Sequence, residues 1–105
     1  MSSDVVVVLS TMPPAAAEGL AETLVGERLA ACVNLVGPVR SIYRWDGAVQ
    51  KDEEILAVIK TTAARYDALA ARLRELHPYQ VPEIVALPVG AGHAPYLEWV
   101  RTMTA

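Results

Sequence analysis

The run Val5-Val6-Val7-Val8-Leu9 constrains this chain more than any other segment. Uninterrupted β-branched residues suit a strand that is apolar on both faces, and such a strand belongs in the middle of a sheet. Thr11-Met12-Pro13-Pro14 breaks the run. Proline fits the first turn of a helix, where its missing N–H would be unpaired anyway. Residues 15–29 then read as a helix, with Ala16, Leu20, Ala21 and Leu24 on one face and Glu18, Glu22 and Arg28 elsewhere. Gly19 and Gly26 weaken it by up to ~1 kcal/mol each relative to alanine.

Cys32-Val33-Asn34-Leu35-Val36 starts the second strand, and Gly37-Pro38 interrupts it as a bulge or bend. The strand resumes at Val39 and runs to Trp45. Asp46-Gly47 is a turn signal, because glycine accepts positive φ without steric cost. A turn at Gln50-Lys51-Asp52 is the alternative, and the third strand is placed at residues 53–61. Thr62 is a candidate N-cap for a second helix with an apolar stripe of Tyr66, Leu69, Leu73 and Leu76 and with Arg65, Arg72 and Glu75 in water. Pro78 ends it, and His77 before that proline is pushed away from helical angles. Residues 84–87 form a fourth strand that Pro88 marks as an edge, and Pro95 opens a short last helix through Tyr96, Leu97, Trp99 and Val100.

The order is βαββαβ plus a short C-terminal helix. Two right-handed β-α-β units give an α+β, ferredoxin-like α/β sandwich: a four-stranded antiparallel sheet with an extended hairpin between its second and third strands. The first and third strands take the centre, and the prolines agree, since Pro38 and Pro88 both fall on edges. The 105 residues support one domain.

Composition excludes several functions. With nine Lys and Arg scattered along a chain of net charge −3, there is no basic stripe for a phosphate backbone. The lone Cys32 allows no intrachain disulfide and no C-x-x-C pair. Met1-Ser2-Ser3-Asp4 has no basic leader region, and the apolar run after it is too short for a signal core or a membrane span, so a cytoplasmic protein is expected. No nucleophile sits beside a base at a recognisable spacing, so an enzyme is not expected.

A monomer looks incomplete. Val39, Ser41, Tyr43 and Trp45 point one way along the second strand, while Arg40, Ile42 and Arg44 point the other. Helices cover only one face of such a sheet, and the hairpin outruns them. A packed Tyr or Trp buries about 150–250 Å², worth several kcal/mol at ~25 cal/mol per Å². The rings therefore point to an oligomer; the alternative is that they cap the monomer's own core edge.

Several motifs then carry a resemblance. Ala30-Ala31-Cys32-Val33-Asn34, Ser41-Ile42-Tyr43-Arg44-Trp45-Asp46-Gly47, Ile59-Lys60-Thr61, His77-Pro78-Tyr79-Gln80-Val81-Pro82-Glu83-Ile84 and Tyr96-Leu97-Glu98-Trp99-Val100 resemble the divalent-cation tolerance family of CutA-like proteins, in order and spacing over nearly the whole chain. The resemblance implies a homotrimer in which hairpins extend neighbouring sheets, an architecture similar to the PII signalling proteins with their inter-subunit ligand clefts. It implies a role in tolerance of copper or another divalent cation, with Cys32 and His77 as metal ligands; thiolate and imidazole suit copper. Some members carry a second cysteine where this chain has Ser10. The resemblance also places Lys60, Tyr79 and Glu83, with Tyr43 and Trp45, around a cleft between subunits, as a ligand pocket or a structural ion pair of Lys60 with Glu83.

Each candidate has a plainer role as well. Cys32 suits a small buried hydrophobe, His77 a cap on the carbonyls of the second helix, and His93 a solvated loop. Asp52-Glu53-Glu54 reads as an acidic turn that either stays in water or holds a hard cation loosely. The function expected is thus a trimeric, divalent-metal-binding tolerance protein, with a PII-like small-ligand sensor or interaction scaffold as the alternative.

Overall fold

The computed structural model describes residues 4–105; the first three residues of the segment weighed above as a leader lie outside them. Eight elements follow in order: β1 Val5–Met12, α1 Pro14–Gly26, β2 Cys32–Trp45, β3 Ala48–Thr62, a 3-10 turn Ala63–Arg65, α2 Tyr66–Leu76, β4 Val85–Pro88 and α3 Ala94–Met103. The antiparallel sheet has the order β2-β3-β1-β4, so β1 and β3 are central and both proline-bearing strands are edges. This is the expected ferredoxin-like α+β arrangement.

Four boundaries differ from the sequence reading by more than one residue. β1 runs on through Ser10 and Thr11 to Met12, because its pairing with β3 continues as far as Ile55. α1 stops at Gly26, not residue 29; Arg28 takes a positive φ of 61° and turns the chain towards β2. β3 begins at Ala48, because the tight turn is Asp46-Gly47 and not the Gln50-Lys51-Asp52 alternative. Its φ angles of 53° and 77° match a two-residue type I′ hairpin. Thr62 precedes a 3-10 turn and makes no side-chain cap, so α2 proper starts at Tyr66.

Alternation along the central strands sorts the sheet into two faces. Val8, Met12, Ala57 and Ile59 form the helix-covered face and pack with Ala17, Leu20 and Leu24 of α1 and Leu69 and Leu73 of α2. Tyr66 and Leu76 complete the stripe of α2 half-buried. On the other face, only the start of β1 is covered, where Val100 of α3 packs with Val5 and Ala31. Arg101 of α3 pairs with Asp4 at 2.7 Å, and Arg65 donates to the Thr104 carbonyl at 2.6 Å, which pins that helix. The rest of this face carries apolar cross-strand neighbours, with Lys60, Asn34 and Thr11 among them. Val36 sits opposite Leu56, Val58 opposite Leu9 and then Val85, and Val7 opposite Leu87.

Beyond Met12, β3 has only β2 as a neighbour, and the two strands form a free arm. Gly37-Pro38, joined by a cis peptide, is the bulge that separates the two registers of β2. On the arm, Ile42 is 67% exposed, Val49 60% and Trp45 51%. Among the described residues, no helix is long and apolar enough to cross a membrane. Ser10 Oγ is completely buried on the helix face and has no hydrogen-bond partner among the described residues.

The bulge and the helix give opposite expectations for two glycines. A Cβ at Gly37, where φ is 132°, would stand 2.6 Å from the Val39 nitrogen, whereas one at Gly19 meets nothing within 4 Å. Gly37→Ala should destabilise by about 1–3 kcal/mol, and Gly19→Ala should stabilise by up to ~1 kcal/mol. Urea denaturation at one fixed protein concentration checks both; a Gly37→Ala protein as stable as the parent would contradict the strained bulge.

Candidate functional site

The arm leaves the sheet beside the loop that follows α2, and a cavity of about 700 Å³ lies between them. Ser41, Ile42, Tyr43 and Trp45 of β2, Glu54 of β3, Thr11 of β1 and residues 78–81 and 83 line it. Four of the five residues assigned to a pocket from the sequence therefore meet: Tyr43, Trp45, Tyr79 and Glu83. Alternation brings Tyr43 and Trp45 to the same side of β2, and the two-proline loop carries Tyr79 and Glu83 across to them.

The loop is held at its root by His77. Its ring is buried, and Nε2 lies 2.8 Å from the Thr11 carbonyl oxygen, so Nε2 carries the proton and donates it. Nδ1 accepts from the Tyr79 amide at 3.1 Å. Both nitrogens are thus engaged, and the ring stacks obliquely on Tyr79 with centroids 4.6 Å apart. The expected helix cap is not what His77 does: its own amide, not its ring, bonds back to the Leu73 carbonyl.

Two phenols meet two carboxylates at the cavity wall. Tyr79 donates to Glu54 Oε2 at 2.8 Å, and Tyr43 donates to Asp52 Oδ2. Burial chiefly, then the bond to Glu54 and the charges of Glu54 and Asp52, push the Tyr79 phenol far above the ordinary tyrosine range. Tyr43 is raised as well, mainly by its bond to Asp52. Glu54 is only 4% exposed, and Tyr79 is the hydrogen-bond donor to its carboxylate among the described residues.

Glu54 is the residue the sequence reading missed. It was taken as part of an acidic turn, but the hairpin turns at Asp46-Gly47, and Asp52-Glu53-Glu54 lies within β3. Asp52 and Glu54 share one face and Glu53 takes the other, so the three carboxylates do not converge on one cation. The signal was available: pairing from a turn at Asp46-Gly47, with the bulge at Gly37-Pro38, puts Glu54 opposite Val39.

Lys60 is the pocket residue that lies elsewhere. It sits six residues beyond Glu54 on β3, about 20 Å away at ~3.3 Å per residue. Its ammonium donates to Asn34 Oδ1, so the expected ion pair with Glu83 does not form within the chain; a nearer side-chain oxygen on the neighbouring strand takes it. Glu83 is exposed on the cavity rim.

Cys32 faces Lys60 across the β2–β3 ladder, half-buried, with Sγ 3.9 Å from Asn34 Oδ1. His77 is anchored at Thr11, whose partner Leu56 lies four residues along β3 from Lys60, a separation of about 13 Å. One subunit therefore does not bring Cys32 and His77 together. Ser10 points to the helix-covered face and Cys32 to the opposite one, so a cysteine at residue 10 would not join Cys32 either. Among the described residues, no group of three His, Cys, Asp or Glu could hold a metal ion. His93 is exposed at the start of α3, as expected.

Comparison with known proteins places this geometry. Residues 5–103 match the family model described as CutA1 divalent ion tolerance protein. The divalent-cation tolerance protein CutA of Thermus thermophilus is 52% identical over 99 residues, which cover 93% of this chain and 96% of that protein. Protein CutA of Homo sapiens is 48% identical over 88 residues, covering 84% of this chain and 49% of that protein, so the chain spans about half the length of the human relative. The crystal structure of CutA from Xylella fastidiosa superposes with a TM-score of 0.96 at 42% identity, covering 98% of this chain and all of that one. The Thermus thermophilus structure gives 0.93 at 50% identity, over 96% and 99% of the two chains.

The Tyr79–Glu54 bond has a pH signature. The folded phenol is raised above its ordinary 10.0, so the proton is held more tightly in the folded state. Its contribution to stability is complete below pH 10 and is lost as the pH rises above it. An ultraviolet phenolate titration should show a tyrosine that resists ionisation beyond the others, absent in Tyr79→Phe and titrating lower in Glu54→Gln. A parent curve in which every tyrosine ionises together near pH 10 would contradict the bond.

Proposed function

The chain belongs to the CutA1 divalent ion tolerance family, and on that premise we propose that it serves metal tolerance as a cytoplasmic homotrimer that binds copper and catalyses no reaction. The observation that carries the assembly is the free arm, which holds Ile42, Trp45 and Val49 in water, together with the apolar cross-strand neighbours on the uncovered sheet face. Copies that cover these surfaces regain hydrophobic energy that one chain forfeits. The bare outer edges of β2 and β4 offer backbone groups for the same contacts.

Copper is cargo in this reading, and Cys32 is its thiolate donor. Cys32 is half-buried and its sulfur makes only a long contact to Asn34 Oδ1, which leaves it free to serve as a soft ligand. His77 contributes to the site only if it gives up a hydrogen bond, because both ring nitrogens are occupied. Further donors in this reading come from neighbouring copies.

A second reading is favoured by the cavity. Its volume of about 700 Å³ falls within the range of small-molecule sites, and four of the proposed pocket residues line it. In this reading the protein is a PII-like sensor whose ligand sits beside Tyr43, Trp45, Tyr79 and Glu83 near a subunit boundary.

Titration of the reduced protein with cuprous ion separates the two. Cys32→Ser should weaken binding by at least ~tenfold if the thiolate is a ligand. Equal affinity of parent and variant would remove Cys32 from the site and leave the cavity as the functional feature.

A further inference from the structure

The free arm carries opposite charges on its two sides. Strand alternation and the β2–β3 register sort them. Arg40, Arg44 and Lys51 share one side, with Glu53 across from Arg40. Asp52 and Glu54 share the other side with Tyr43 and Trp45. All three cations are exposed, and none of them forms an ion pair among the described residues.

Glu54 leaves the acidic side unfinished within one chain. Its carboxylate is buried, and the described residues of its own chain give it a phenol but no cationic partner. A buried charge is costly until a counter-charge or further donors reach it. Copies that cover the arm bring such a counter-charge with them, because the basic side of a second arm is itself unpaired. The rings of Tyr43 and Trp45 beside the carboxylates suit it as well, since guanidinium groups stack on aromatic faces. Charge also selects the symmetry of the contact. An isologous contact through one side of the arm sets Asp52 and Glu54 against their own equivalents, or the three cations against theirs, and like charges in an interface repel. A head-to-tail contact, basic side on acidic side, sets opposite charges together, and it gives a ring where the rotation between copies closes.

We propose that the arms pack head to tail, with Arg40, Arg44 and Lys51 of one copy on the Asp52 and Glu54 side of the next, so that the buried Glu54 takes its counter-charge from a neighbouring chain. This rests on the first reading above, that copies of the chain cover the arm, and it names the residues and the direction of that contact.

Charge reversal on the full chain tests it, read by sedimentation equilibrium over a dilution series at about 0.05 M and about 0.5 M salt. Arg44→Glu with Lys51→Glu should raise the concentration at which the assembly dissociates at least ~tenfold, and more at low salt than at high. Both residues are exposed, so the core is untouched. Arg28→Glu with Arg74→Glu changes the net charge equally at exposed residues off the arm and should leave dissociation as in the parent. Adding Asp52→Lys to the arm variant sets opposite charges together again and should recover at least ~threefold of the loss. An arm variant that associates like the parent would overturn the proposal and leave the assembly reading standing. Equal weakening by the off-arm control, or no recovery with Asp52→Lys, would overturn the pairing of the two sides. A parent of one chain mass throughout the series would overturn the assembly reading and this proposal with it.

Discussion

The disparity between strand and helix lengths governs this molecule. β2 and β3 span 14 and 15 residues, close to 46–50 Å at ~3.3 Å per residue. The two helices on the covered face have 13 and 11 residues, about 20 and 17 Å at 1.5 Å per residue. No arrangement of such helices covers such strands. The longest dimension of the molecule is 44 Å. On the uncovered half an ordinary surface would be polar, but this one carries tryptophan, isoleucine and valine.

The bulge makes the arm useful. At Gly37-Pro38 two residues of β2 lack partners, and the ladder resumes with Val39 opposite Glu54. That offset sets which side chains of the arm face the loop after α2. His77 fixes the other wall by tying the loop to Thr11 through one nitrogen and to Tyr79 through the other. The cavity is thus defined by a backbone irregularity and a neutral imidazole, both of which also read as purely structural features. Metal chemistry has less support from a single chain: Cys32 lies at the start of β2 and His77 just after α2, and the two do not meet.

Most of the fold was legible in the residues. The valine run identified β1 as central, and prolines at residues 38 and 88 identified the edges. Asp46-Gly47 was the right turn, but local signals alone left a competitor at residues 50–52, and that uncertainty hid the length of β3. Glu54 was lost for the same reason, since a carboxylate next to two others looks like a solvated turn until its register is known. Within one chain Lys60 meets Asn34 on the adjacent strand and not Glu83, and the expected Lys60–Glu83 pair was one between subunits. Tyr43, Trp45, Tyr79 and Glu83 were grouped by the family resemblance and not by any local pattern, and in the structure they line one cavity.

Burial of the arm by other copies of the chain is the claim on which the rest turns, and sedimentation equilibrium at low micromolar concentration tests it most directly. A species of three chain masses, with the Trp45 indole shielded from an aqueous quencher, is the result expected. A species of one chain mass with that indole freely quenched would contradict it, because the apolar arm would then be stable in water without a partner.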